Sequence, residues 1–171
     1  MDQMRRELLT WEDVDALIDH LLPQFEGGFE AMVMITRGGI IPGGLLAEAM
    51  DITHILTAAV DFPAEGERTG LYAWPRFLQF PEDQLLHDRR TLLVDDVWGS
   101  GRTITSVKNR VVAAGGYPST CVLHFNPYRS LFSEAQPSYY AAITDAYIVY
   151  PWEIDRDLNR ALFDTTPKPS S

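Results

Sequence analysis

The chain reads as an α/β protein, a single domain with a mostly parallel sheet flanked by helices, and three observations predict it. Short apolar runs without in/out alternation recur at 31–36, 91–94 and 122–125, the pattern of strands covered on both faces. Segments with helical spacing lie between them, as right-handed strand–helix–strand crossovers require. Glycine- and hydroxyl-rich turns follow the strand ends, where open α/β sheets hold their ligands. The 171 residues, 46% hydrophobic and 22% charged, suit one domain with a real core. No internal repeat or low-complexity tract interrupts them.

Taken in order, residues 1–7 are polar and expected to be loosely held. Thr10 is placed to cap a helix with acids in its first turn and an apolar stripe at Val14, Leu17, Ile18, Leu21 and Leu22. Pro23 and Gly27-Gly28 end it, and His20 within it is read as a solvent-facing or packing residue. The run 31–36 is a strand, its end marked by Arg37-Gly38-Gly39-Ile40-Ile41-Pro42, with the next helix over 43–50. A further strand is expected at 52–60. The stretch 62–83 is long and irregular, carries Tyr72, Trp74, Phe77 and Phe80, and at that length is functional or disordered. Arg68 and Arg76 within it are candidate phosphate contacts. A central strand at 91–94 leads into a helix at 104–114 that stops at Gly115-Gly116. Strands at 122–125, 139–142 and 146–150, a short helix at 158–163 and a disordered tail at 164–171 complete the chain, so the domain spans 8–163.

Composition narrows the function. A formal charge of −10 argues against nucleic acid as the main partner, because binding a phosphate backbone needs clustered Lys and Arg. With no run of 18 apolar residues and no signal-like leader, no membrane partner and a cytoplasmic location are expected. Cys121, the single cysteine, lies in an apolar run and reads as a buried structural thiol.

The chemistry concentrates in Thr91-Leu92-Leu93-Val94-Asp95-Asp96-Val97-Trp98-Gly99-Ser100-Gly101-Arg102-Thr103. Its strand runs into two acids and then into a glycine-hydroxyl turn that opens a helix. Helix-end amides suit a phosphate. The acids would repel a phosphate but accept hydrogen bonds from vicinal sugar hydroxyls, so together the two describe a bound ribose 5-phosphate. The earlier Arg37-Gly38-Gly39 adds exposed amides and a fork-shaped cation matched to phosphate oxygens. That combination suits a pyrophosphate.

On these residues the chain resembles the phosphoribosyltransferases that use phosphoribosyl pyrophosphate (PRPP). Arg37-Gly38-Gly39-Ile40-Ile41-Pro42-Gly43 and Asp145-Ala146-Tyr147-Ile148 before Pro151-Trp152 are similar to the xanthine-guanine, 6-oxopurine group in particular. The resemblance implies ribose 5-phosphate transfer from PRPP to a purine base (xanthine, guanine or hypoxanthine) with release of pyrophosphate, in purine salvage. Asp95, Asp96 and Arg37 would be catalytic. Arg37, Gly38 and Gly39 would hold pyrophosphate, Asp95 and Asp96 the ribose and Mg2+, and Gly99, Ser100, Gly101, Arg102 and Thr103 the 5-phosphate. Tyr147 would stack on the base, the backbone of Ile148 would read its edge, and Asn126 would contact it. The segment 62–83 would be a hood over PRPP, and the assembly a homodimer or homotetramer.

Three positions depart from the family's pattern. Gly99 stands where 6-oxopurine enzymes usually carry an aspartate that handles the base's proton. Asn126, before Pro127, replaces a lysine that contacts the 6-oxo group, and Phe62-Pro63 replaces a hydroxy-aromatic pair. Two alternatives stay open: another base (adenine or a pyrimidine), or a non-catalytic regulator that senses PRPP or a nucleotide.

Overall fold

The structure is a computed structural model and describes residues 5–63 and 74–153. Arg68, Tyr72, the helix expected at 158–163 and the tail at 164–171 lie outside the described residues.

The first helix, α1 (Trp11–Leu21), opens with the cap expected of Thr10: the Asp13 amide donates to the Thr10 hydroxyl, and the Thr10 amide donates to the Asp13 carboxylate. The main sheet contains β2 (Ala31–Ile35), β3 (Ile55–Asp61), β4 (Arg76–Gln79), β5 (Arg90–Trp98), β6 (Tyr117–Phe125) and β7 (Tyr139–Ile143), in the order β4-β3-β2-β5-β6-β7. Every neighbour pair is parallel except β3 with β4. Helix α2 (Ile40–Met50) links β2 to β3, and α3 (Arg102–Ala113) links β5 to β6.

Leu92 and Val94 of β5 enter one core with Val14 and Leu21 of α1 and Leu46 of α2, while Leu93 enters the other with Val107 and Val111 of α3. Successive side chains of a strand point to opposite faces, so a doubly covered strand is apolar at every position. Each fully buried leucine contributes on the order of 2 kcal/mol. Cys121 is fully buried in the first core, and burial pushes its thiol up, as befits a structural residue.

Several boundaries move. Helix α2 begins at Ile40 rather than 43, because Pro42 falls in its first turn, where no intrahelical partner for its missing N–H is needed. Strand β6 starts at Tyr117, five residues before the apolar run, since Pro118, Ser119 and Thr120 pair with β5 although their side chains are not strand signals. Part of the irregular 62–83 stretch is ordered as β4 against β3. The polar start is not loose at Arg6–Leu8: this segment forms β1, parallel to β8 (Tyr147–Val149), in a separate two-stranded sheet. A three-residue strand whose side chains are all exposed leaves no hydrophobic pattern to read.

Candidate active site

The order of the main sheet reverses between β2 and β5, since β2 connects outward to β3 and β5 connects the other way to β6. Such a switch point opens a crevice at the carboxyl ends of the two strands. Arg37-Gly38-Gly39 follows the end of β2 at Ile35, and Asp95-Asp96 lies among the last residues of β5 before Trp98, so both motifs meet there. A methyl group placed on Gly38 would lie 2.5 Å from the Asp96 carboxyl carbon, which means the loop backbone rests directly against that carboxylate. One on Gly39 would strike the Val94 carbonyl oxygen, and the Gly39 amide donates to Ile35 O at 2.8 Å. Neither glycine has room for a side chain. Arg37 is exposed, and its peptide bond with Thr36 is cis.

Asp96 is only 8% exposed and Asp95 is half-buried. The Asp96 amide donates to Asp95 Oδ1 at 2.9 Å and the Val97 amide to Asp96 Oδ1 at 2.7 Å. Burial raises Asp96 to about 6 against the pull of the Val97 amide, with the charge of Glu153 adding to the rise. Burial, and then the neighbouring Asp96, holds Asp95 well above the ordinary carboxylate range. Two desolvated carboxyls side by side are poised to receive hydroxyl donors or a cation.

Beyond the acids, Gly101 turns the chain with φ +81° and stands at the N-cap of α3. A side chain there would collide with the indole of Trp98. The Arg102 amide donates to Ser100 Oγ at 3.3 Å, and the Leu131 amide to Ser100 O at 3.0 Å. The helix end leaves the Thr103 and Ile104 amides without intrahelical acceptors, and no acid crowds the first turn. The Arg102 guanidinium lies over the Phe62 ring at 4.4 Å, tying this turn to the segment that follows β3. Gly99 faces open space: a side chain there would meet nothing within 4 Å. Arg76 pairs with Asp61 at 2.8 Å across the β3–β4 ladder.

The residues expected to meet the base lie just after β6 and on β8, which pairs with β1. Asn126 is buried, its amide donates to Trp98 O at 2.9 Å, and its Oδ1 accepts from the Tyr128 amide at 3.2 Å, so the side-chain carbonyl shapes the loop. Tyr147 is 45% exposed with Arg6 over its ring at 5.8 Å. The Ile148 side chain is buried in the first core. Tyr147 donates its amide to Arg5 O and Val149 O accepts from Leu9, so the Ile148 N–H and C=O turn away from β1. Of the other aromatics, Tyr139 packs on Phe25, and Tyr150 stacks on Trp152 with centroids 4.7 Å apart. These rings fill the interior.

Two residues at the site were not singled out from the sequence. Tyr150, buried, donates its hydroxyl proton to Asp96 O at 3.0 Å, and His124 Nδ1 lies 2.8 Å from the same hydroxyl. The available signal was a histidine inside the otherwise buried strand run 119–125, since buried polar groups need partners. Among the described residues no three His, Cys, Asp or Glu side chains gather as a metal cluster, and no helix is long and apolar enough to cross a membrane.

No protein-family model matches the chain. A xanthine-guanine phosphoribosyltransferase from Roseobacter denitrificans is 28% identical over 135 residues, 75% of this chain and 71% of its own. One from a Ruegeria species is 28% identical over 161 residues, 90% of this chain and 82% of its own. Among solved structures, a purine phosphoribosyltransferase from Pyrococcus horikoshii superposes with a TM-score of 0.75 at 28% identity, covering 86% of this chain and 94% of that one. Likeness along most of the chain joins the meeting of the two loops at the switch point, and in sequence and fold the chain resembles the PRPP-dependent phosphoribosyltransferases, a family of pentosyl-transferring enzymes.

Proposed function

We propose that the chain transfers ribose 5-phosphate from PRPP to a ring nitrogen of a 6-oxopurine (xanthine, guanine or hypoxanthine), releasing pyrophosphate, and serves purine salvage. The observation that carries this reading is the contact of the Gly38 backbone with the Asp96 carboxylate, which makes one site of the two loops. Arg37, Gly38 and Gly39 grip the leaving pyrophosphate. Asp95 and Asp96 take the ribose hydroxyls, and the turn from Gly99 to Thr103 with the α3 amides takes the 5-phosphate. Bond breaking at C1 gives the ribose oxocarbenium character, so holding both ends of PRPP while the base waits nearby supplies orientation and charge stabilisation. Tyr147 offers a stacking face, the outward backbone of Ile148 an edge to read, and Asn126 an amide donor.

Asp95 and Asp96 present hard oxygen donors whose raised proton affinity marks them as under-compensated, which fits Mg2+ bound largely through substrate phosphates. That ion would neutralise the pyrophosphate. A cytoplasmic homodimer or homotetramer accords with this activity.

A second reading changes only the base. Gly99 supplies no aspartate, and Asn126 spends its carbonyl on the Tyr128 amide, so selection of a 6-oxo group has less support than the transfer itself. Pyrophosphate release from PRPP, measured against a panel of bases, tests both. Turnover with guanine, xanthine or hypoxanthine is the expected result; turnover only with adenine or a pyrimidine would favour the second, and PRPP binding without turnover would overturn both.

A further inference from the structure

We infer, resting on that transfer reading, that Tyr150 is a positioning residue whose hydroxyl links the base segment to the ribose acids, so that filling one half of the cleft strengthens binding in the other. The link is built from contacts at residues already placed. Tyr150 stands one residue past β8, two beyond Ile148 and three beyond Tyr147, and its hydroxyl donates to Asp96 O at 3.0 Å. The carboxyl of the same Asp96 lies against the Gly38 backbone. A continuous run of contacts therefore leads from the base strand to the ribose acid and on to the pyrophosphate loop.

The backbone at Asp96 depends on this support. Pairing of β2 with β5 stops at Val94, so the acids lie beyond the last rung on that side. The Asp96 amide donates to Asp95 Oδ1 at 2.9 Å, and the Asp96 carbonyl takes the Tyr150 proton. Side chains thus hold the backbone on both sides of the Asp96 Cα, and moving either one turns the carboxyl. Tyr150 itself is firmly aimed. It is 1% exposed, its ring stacks on Trp152 at 4.7 Å and 3°, its amide donates to Glu153 Oε2 at 3.0 Å, and His124 Nδ1 lies 2.8 Å from its hydroxyl. A hydroxyl held this way follows its own backbone, which continues β8.

The sign of the coupling comes from the arrangement of the sheets. Strand β8 lies outside the main sheet and pairs with β1 over three residues, all of them exposed on β1. A two-stranded ladder is marginally stable by itself. A base stacked on Tyr147 and bonded to the Ile148 backbone fixes that ladder, and with it the hydroxyl at Asp96. PRPP then meets an acid already in place, so less freedom is lost when it binds. By linkage, PRPP strengthens binding of the base by the same factor.

The test is calorimetric titration of the full chain with PRPP, alone and with a saturating 9-deaza analogue of the purine it turns over best. That analogue has carbon at the accepting position and does not react. In the wild type it should tighten PRPP binding by about tenfold, a typical size for coupling between two sites. Tyr150→Phe keeps the stacked ring and should cut the factor below about twofold, with PRPP alone bound as in the wild type. Val14→Ala opens a cavity in the same core and should lower the melting point at least as much as Tyr150→Phe, yet keep the full factor, which separates the link from lost stability. The analogue alone should also shift the Asp96 amide resonance of the wild type, a reading that needs no variant. A wild type without coupling, a Tyr150→Phe chain that keeps it, or an unmoved Asp96 resonance overturns the link while leaving transfer intact. No wild-type turnover with any base overturns the transfer reading, and this link with it.

Discussion

At the scale of single residues, Asp96 sets function against stability. Its carboxyl is pushed up to about 6 from an ordinary 3.8, so the folded state binds its proton more tightly than the unfolded chain. The sign follows: its stabilising protonation is complete below about 4 and lost as pH rises through about 6. His124, lowered to about 4 by burial, tilts stability the other way over the same range. The difference between two proteins isolates the acid. Asp96→Asn should unfold at a higher temperature than the wild type at pH 7, by at most about 3 kcal/mol for a shift of about two units, with the gap closing toward pH 4. Its PRPP affinity should fall by about tenfold or more, the scale of a lost charged hydrogen bond. Parallel melting curves from pH 4 to 7, or full PRPP affinity, would contradict this account.

At the scale of elements, the turn between β5 and α3 depends on one backbone conformation. Gly101 at φ +81° with the Trp98 indole against it admits no side chain. Gly101→Ala should cost roughly 1–3 kcal/mol in urea unfolding and weaken PRPP binding, because the amides of the next turn move with it. Wild-type behaviour in both measurements would remove the turn from the site. This element was legible in advance because its residue types are dictated by its geometry: glycines where the chain turns, acids at the end of an apolar strand, hydroxyls at a helix start. The capped α1 was legible for the same reason. Pro118 and the three residues of β1 were not, because their pairing is decided by neighbours far away in the chain. His124 and Tyr150 were visible as residues, but their hydrogen bonds join β6 to the end of β8, which no local spacing encodes.

At the scale of the molecule, the proposed function divides the cleft into two halves with different origins. The donor half comes from β2, β5 and the loops after them, inside the main sheet. The acceptor half comes from the ends of β6 and β7 and from the β1–β8 pair, in which Arg6, Glu7 and Leu8 match Tyr147, Ile148 and Val149. Removing residues 1–8 should therefore raise KM for the base by about tenfold, ~1.4 kcal/mol, while KM for PRPP holds. Equal changes in both constants would deny the division. The same pairing orders events during synthesis, when the amino end emerges first. By the time residue 125 is out, every group assigned to PRPP has appeared, yet β1 still has no strand to lie beside. A nascent chain halted there should capture its first substrate and be unable to seat the second.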